Sequence, residues 1–472
     1  MKNIIFILCC CFVSINSQAN KTSSNPQLEQ LTSQIEQIRK DQGVSATVVI
    51  LIDRQRTLIK AHLGTRSWQS NSAMNNQQMF RIGSISKSFA ALLALRLQQQ
   101  GLIDLNQSFD HYLKSTYIEN NYANKITLAQ LLEHTAGLAE LSKAEWDYND
   151  PKPITLKQAF ALKLAPHQSN WPPAMHSSYS NVGAGLLGLA LEQATGQSYE
   201  TLMQTHVFAP LAMKSSTLLL TEKVKTRLIT GYNTDGTTVI PYWHNIYRPF
   251  AAINTDADDI IQFLRMLNNQ GQSINGEFLP ASAIKRMQDP QTTLAAKSGL
   301  HYGYGLANYH WQVKGHTFHG HGGDADGYLS RYGYNRESGL AYFVMINAFK
   351  HKPLKQMRNL LEAYTIKDLP KPHYPPVQTI SKQQIQQYQG NYQAVTTRFG
   401  SLPQKPTLKI FTKDQQLYIQ KLNSKAQPIY AVNQQHFRYA DEAVATMAFI
   451  PYQGTMYFQG DIGNFVKLTI QQ

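Results

Sequence analysis

The chain has 472 residues, long enough for about three domains of ordinary size and too long for one compact core. Hydrophobic residues at 42% and aromatics at 10% exclude a disordered chain; charged residues at 16% fall below the usual ~25%, so much of the polar surface is Gln, Asn, Ser and Thr. The net charge of +14 is diffuse, with no Lys/Arg run longer than two residues and no zinc-finger or basic-region pattern, which argues against a nucleic-acid partner.

In chain order, Lys2, the apolar stretch Ile4 to Val13 and the small residues around Ser17-Gln18-Ala19 read as a cleavable secretory signal over residues 1–19, too short to span a membrane as a helix. Cleavage removes Cys9, Cys10 and Cys11, the three cysteines of the chain, and with them any disulfide, thiol nucleophile or Cys-ligated zinc. A periplasmic or secreted protein without stable membrane insertion is expected. A lipoprotein anchored through Cys11 is the weaker alternative, because the apolar run before that cysteine is very short.

Residues 27–42 carry Leu28, Leu31, Ile35 and Ile38 at helical spacing before Gly43, and Val44 to Ile52 and Thr57 to Leu63 read as strands around the turn at 53–56. From Ser84 to about Gly276 the pattern is mostly helical, with Thr127, Gly196 and Thr255 or Asp256 as boundary signals. Strands return at Tyr328–Tyr334 and Leu340–Ile346, followed by a helix at Lys352–Thr365. Strands at both ends with helices between predict an α+β layer completed by distant segments, beside a helical lobe. Four prolines in 368–376 predict a stiff, extended linker. Beyond it, Leu408–Phe411, Gln416–Ile419, Ala445–Ile450 and Phe465–Ile470 predict a small all-β module. The expected organisation is a mixed α+β domain over 20–367, the linker, and the β module over 377–472.

Three short patterns carry chemistry. Ser84 begins the apolar run 84–97, and Lys87 follows it by three residues, on the same helical face. A serine hydroxyl becomes nucleophilic when a neighbour takes its proton, a lysine can do so when neutral, and burial favours that form. Unpaired N–H groups at the helix start can stabilise charge on an attacked carbonyl. By itself the spacing equally describes an N-cap serine with a surface lysine, and Ser282-x-x-Lys285 repeats it. What favours chemistry at Ser84 is Gly83, which permits a sharp turn, and a following helix too apolar to expose Lys87. In Tyr179-Ser180-Asn181, at the start of the run to Thr195, the tyrosine can relay protons and Asn181 can bind a substrate amide or hold a lysine; a turn tyrosine before an N-cap asparagine is the ordinary reading, and Tyr122-Ala123-Asn124 is a similar triplet. In His321-Gly322-Gly323-Asp324 the glycines, next to a strand, let backbone approach a ligand, with the Asp324 N–H as a second oxyanion donor. His319, His321 and Asp324 raise a metal reading, but their spacing matches no standard ligand set.

Taken together and in this order, these motifs resemble the serine β-lactamase and penicillin-binding family, in the branch of class C β-lactamases, D-alanyl-D-alanine carboxypeptidases, D-aminopeptidases and related esterases. The likeness extends over about residues 30–350 and includes Leu131–Leu138, Asn254–Ile260 and Tyr302–Gly305. It implies a β-lactamase/transpeptidase-like fold, an antiparallel sheet flanked by helices plus a helical lobe, with the site between them. It further implies an acyl-enzyme on Ser84, Lys87 and Tyr179 handling protons, the N–H groups of Ser84 and Asp324 as oxyanion hole, and substrate contacts from Asn181, His321 and Gly323. No cofactor or metal is implied, and the partner is a small-molecule or peptide substrate. Two departures stand out. His321 occupies a position where β-lactamases of this branch usually have lysine, so an ester or D-amino-acid amide is expected ahead of efficient β-lactam hydrolysis. Ala174 stands where relatives often have glycine, which predicts a local change in that loop. The β module resembles the lipocalin-like appendages of some members. The alternative from another class is a non-catalytic binder of cell-wall peptides, in which the serine forms no covalent adduct.

Overall fold

The computed structural model describes residues 25–468 apart from 71, 114–116, 151, 400 and 401, so the expected signal segment and its cysteines lie outside the described residues. Helix α1 (Pro26–Asp41) begins where the Asn25 side chain accepts from the Gln27 N–H, and presents Leu31 and Ile35 inward. Six strands follow: β1 (Ala46–Ile52), β2 (Thr57–Gly64), β3 (Tyr309–Val313), β4 (His316–Ala325), β5 (Tyr328–Asn335) and β6 (Leu340–Ile346). They form one antiparallel sheet in the order β2-β1-β6-β5-β4-β3. The first and last parts of the domain thus meet in its middle, with Thr47 opposite Ile346.

Both sheet faces are covered, which explains why every residue of β1 is buried and the strand reads as an unbroken apolar run. Val49, Leu51 and Val344 pack under α1 and α5 (His351–Thr365). Val48, Ile50, Phe343 and Met345 face the opposite core, which α2 (Ser86–Gln99), α3 (Asn181–Thr195) and α4 (Ala257–Asn268) share. Length alone suggested three domains. The sheet and the helical lobe share that second core, with α2 running through it, and so they form one unit.

Between α2 and α3 the structure is less helical than the sequence predicts. Short helices at Leu128–Leu132, Lys143–Trp146 and Leu156–Ala161, each with a side-chain capping box at its start, are separated by turns and loops. Caps and breakers recur there too often for longer helices to propagate.

After the extended 369–380 segment, α6 (Lys382–Tyr388) forms from a polar stretch that periodicity did not reveal, started by a capping box at Ser381. Nine strands follow: β7 (Gly390–Ala394), β8 (Leu408–Lys413), β9 (Gln416–Lys421), β10 (Gln427–Pro428), β11 (Tyr430–Ala431), β12 (His436–Arg438), β13 (Met447–Tyr452), β14 (Thr455–Gly460) and β15 (Gly463–Lys467). Their order is β10-β9-β8-β7-β15-β14-β13-β12-β11. The two outermost strands, β10 and β11, are consecutive in the chain with only Ile429 between them, so the sheet curls into a nearly closed barrel around Tyr392, Phe437, Phe449 and Phe458. Among the described residues no helix is long and apolar enough to cross a membrane.

Candidate active site

A 3₁₀ turn at Gly83–Ile85 leads directly into α2 and carries Ser84 at the junction. Gly83 has φ +53°, and a Cβ there would lie 2.7 Å from the Asp324 backbone nitrogen. A Cβ on Gly323 would lie 1.8 Å from the Ile82 carbonyl oxygen. Two backbones therefore meet with glycine on each side, and no larger residue fits without moving them apart. The sequence reading put the glycine motif next to a strand; it lies within β4. Strand β3 pairs with β4 only as far as Gly320, so residues 321–325 leave one edge unpaired beside the Ser84 turn.

Lys87 projects from the first turn of α2 into the core and is 2% exposed. Its Nζ lies 3.1 Å from Ser84 Oγ and donates to the Phe250 carbonyl at 3.0 Å. Burial, with a smaller contribution from the Arg398 charge and against that of Glu140, holds the amine well below the ordinary lysine pKa. A neutral amine that donates to Phe250 keeps a lone pair for the Ser84 proton. The Tyr179 phenol also lies beside Ser84, whose influence lowers its pKa, but burial outweighs this and raises the pKa strongly, so the phenol stays protonated. Lys87 Nζ lies 4.8 Å from the Tyr179 ring centroid. Ser84, Lys87 and Tyr179, far apart in sequence, thus converge on one hydroxyl.

Asn181 opens α3, but its cap is Ser180, whose side chain accepts from Gly183 N–H. The Asn181 N–H donates to Glu140 Oε1 at 3.0 Å, and its side-chain oxygen, buried at the cleft wall, has no hydrogen-bond partner among the described residues. Asp324 does not offer a free carboxylate: its Oδ1 pairs with Arg331 Nη1 at 2.7 Å.

His321 lines the cleft with both ring nitrogens engaged. Ser180 N–H donates to His134 Nδ1 at 3.2 Å, which leaves the proton on His134 Nε2, 3.2 Å from the Tyr304 hydroxyl. That hydroxyl lies 2.6 Å from His321 Nε2, and His321 Nδ1 lies 2.5 Å from the Gly322 carbonyl. One backbone donor at the start and one backbone acceptor at the end fix every proton between them: His134 donates to Tyr304, Tyr304 to His321, and His321 to Gly322. Burial holds the His321 pKa down at about 3, so the ring is neutral. The imidazole expected to face a substrate's charge is therefore an uncharged group in a locked tautomer. The sequence motifs included His134 and Tyr304 without suggesting this role.

The all-β module reaches this site. Gln459 accepts from Ala295 N–H at 2.8 Å and donates to the Met175 carbonyl at 2.8 Å, while Asn464 donates to the Ser177 carbonyl at 2.8 Å. These bonds brace the loop that leads to Tyr179. Ala174 within that loop adopts φ +64°, a left-handed conformation that costs alanine more than the glycine expected there. Arg398, after β7, donates through Nε to Glu140 Oε2 at 2.9 Å and lies with its Cζ 4.4 Å from the Tyr179 ring centroid. The cleft has a volume of about 390 Å³, and Trp146, Phe250 and Phe399 supply apolar walls.

The metal reading loses its geometry in β4. Strand alternation puts His319 and His321 on one face and Asp324 on the other. His319 packs between His310 and Tyr334. At the second Ser-x-x-Lys, Ser282 and Lys285 are both exposed on a surface helix.

An antiparallel sheet covered by helices on both faces, with a serine at the start of a buried helix between sheet and lobe, defines the β-lactamase/transpeptidase-like fold. A family model described as Beta-lactamase matches residues 31–365, and the chain belongs to that family. A β-lactamase from Providencia stuartii is 24% identical over 233 residues, 48% of this chain and 56% of its own length, so the chain spans little more than half of that relative. The structure of the octameric penicillin-binding protein homologue from Pyrococcus abyssi is similar at a TM-score of 0.60 and 18% identity, covering 93% of this chain and 100% of that one. A β-lactamase/D-alanine carboxypeptidase from Yersinia pestis, complexed with citrate, has a TM-score of 0.60 at 19% identity and covers 72% of this chain and 99% of its own. At these identities the structural likeness speaks for the fold.

Proposed function

We propose that the protein is a serine hydrolase that forms an acyl-enzyme on Ser84 and acts on an ester or a D-amino-acid-containing amide, as an esterase, D-aminopeptidase or D,D-carboxypeptidase does. The observation that carries this reading is the Ser84 hydroxyl 3.1 Å from the buried Lys87 amine, with the half-buried Tyr179 phenol beside them. Ser84 Oγ attacks the substrate carbonyl as its proton passes to the Lys87 lone pair. The carbonyl oxygen, now negative, lies between the N–H groups of Ser84 and Asp324. The Tyr179 phenol protonates the leaving group as the carbonyl re-forms and the scissile bond breaks, and Lys87 returns the proton to Tyr179. Water then enters by the reverse route: it gives a proton to the pair, adds to the acyl carbon, and releases the acid while Ser84 regains its proton.

Membership of the family and the Yersinia pestis neighbour, named for β-lactamase and D-alanine carboxypeptidase, support this class. The neutral, fully bonded His321 favours the ester and amide substrates and leaves β-lactam hydrolysis as a slow side activity. The same reading puts the protein outside the cytoplasm, on the strength of the signal-like residues 1–19.

The test is turnover of a nitrophenyl ester together with intact-mass detection of a phosphonate or penicillin adduct. Ser84→Ala is expected to abolish the adduct and lower turnover by several orders of magnitude. Unchanged turnover, or an adduct on another residue, overturns the proposal.

A further inference from the structure

The cleft lining includes the exposed carboxylate of Asp326 and several groups whose capacity for charge is already used. The ammonium form of Lys87 is suppressed, His321 is neutral with both nitrogens bonded, and Arg331 carries the Asp324 carboxylate. Arg398 differs. Its Nε and Nη2 grip Glu140 Oε2, each at 2.9 Å, while Nη1 has no hydrogen-bond partner among the described residues and the side chain is 43% exposed into the cleft. Glu140 is itself 2% exposed at its side chain and is fixed by the Asn181 and Leu141 N–H groups. The guanidinium is therefore pinned at one edge by a rigid, buried carboxylate and open at the other, and it lies against the ring of Tyr179. An arginine held this way has lost most of its rotamer entropy before any ligand arrives, and its open edge suits the planar oxygens of a carboxylate.

From this geometry we infer that Arg398 makes the C-terminal module part of the substrate site, where it receives a carboxylate on the leaving-group side of the scissile bond. The inference rests on the proposed serine-hydrolase reading, in which Tyr179 protonates the leaving group; Arg398 packs on Tyr179 and so stands on that side. The preferred substrates are esters or amides whose departing alcohol or amine bears a carboxylate, and the hydrolase domain gains that preference from a residue more than 200 positions after Tyr179.

Two esters that differ only in this group test it: 3-acetoxybenzoic acid and 3-acetoxybenzamide. The full-length wild type is expected to favour the acid at least tenfold in kcat/KM, mainly through KM. Arg398→Gln is expected to collapse that ratio tenfold or more, whatever happens to the absolute rates, and Arg398→Lys to keep part of it. Equal efficiency on both esters in the wild type overturns the inference while leaving the serine-hydrolase reading intact, and it does so even if the variants fail to fold. A ratio unchanged in Arg398→Gln also overturns it, leaving Arg398 only its structural tie to Glu140. If Ser84→Ala turns over both esters as fast as wild type, the underlying reading falls first.

Discussion

The N-terminal domain at its cleft and the C-terminal barrel in its core bury different kinds of side chain. Around its cleft the domain buries an amine and two imidazoles, Lys87, His134 and His321, with the phenols of Tyr179 and Tyr304 half-buried beside them. The barrel core is a stack of aromatics: Phe449 lies 4.3 Å from Tyr388 ring to ring and meets Phe437 and Phe458 edge-on. Burying an ionisable group costs stability and changes its proton affinity; burying a phenylalanine only stabilises. That cost is concentrated at the cleft, whereas the barrel's central stack largely avoids it.

The largest effect that tests this contrast comes from Lys87→Met, which keeps the volume and removes the amine. Ester turnover is expected to fall about 10³-fold or more, as for loss of a general base acting with its nucleophile. The thermal midpoint at neutral pH is expected to hold or rise. Because the folded-state pKa of Lys87 is depressed, the unfolded chain binds more protons between that value and the ordinary lysine range; wild-type stability therefore climbs with pH across this window, and the variant's advantage shrinks toward its upper end. A midpoint that drops sharply at neutral pH would show the amine to be a net stabiliser.

Next come the two apolar cores. Phe449→Ala should cost about 3–5 kcal/mol and Leu93→Ala, in the middle of α2, about 2–5 kcal/mol. All five tryptophans precede residue 312, so their fluorescence reports the N-terminal domain alone. In urea, Leu93→Ala is expected to shift the fluorescence transition, and Phe449→Ala chiefly the far-UV circular dichroism. If both signals move together in both variants, the two units unfold as one and the contrast between them does not extend to their stability.

The smallest effect is electrostatic. The Arg398 charge lowers the Lys87 pKa and the Glu140 charge raises it. If the neutral amine is the active form, Arg398→Gln moves the acidic limb of the kcat/KM profile to higher pH and Glu140→Gln moves it to lower pH. Shifts of the same sign would remove Lys87 as the group that limb reports.

Ser84, Lys87 and Tyr179 were legible because each sits at a boundary between a turn and an apolar helix, where a polar side chain needs a reason to be. The strands β1 and β6, from opposite ends of the domain, were legible as apolar runs, while the helices flanking the sheet followed from the family resemblance. Other features leave no such mark. The Phe250 carbonyl that orients Lys87 is backbone and has no residue signature. Arg398 follows a short strand in a polar stretch without periodicity, and only the docking of the barrel against residues 174–178 brings it to the cleft. Tyr304 and His134 lie in recognisable motifs, yet the bond between them depends on the left-handed turn at His134, φ +57°, which local sequence does not announce.

The consecutive outer strands of the barrel also limit how this module can engage other molecules. A sheet whose two margins are two-residue strands joined through Ile429 offers hardly any bare main chain for an incoming peptide to zip onto. Strand addition, a common route to both partner capture and aggregation, is thereby largely closed off. The module instead meets the other domain through side chains of β14 and β15 and through the segment after β7, which delivers a guanidinium to the cleft that Ser84 lines.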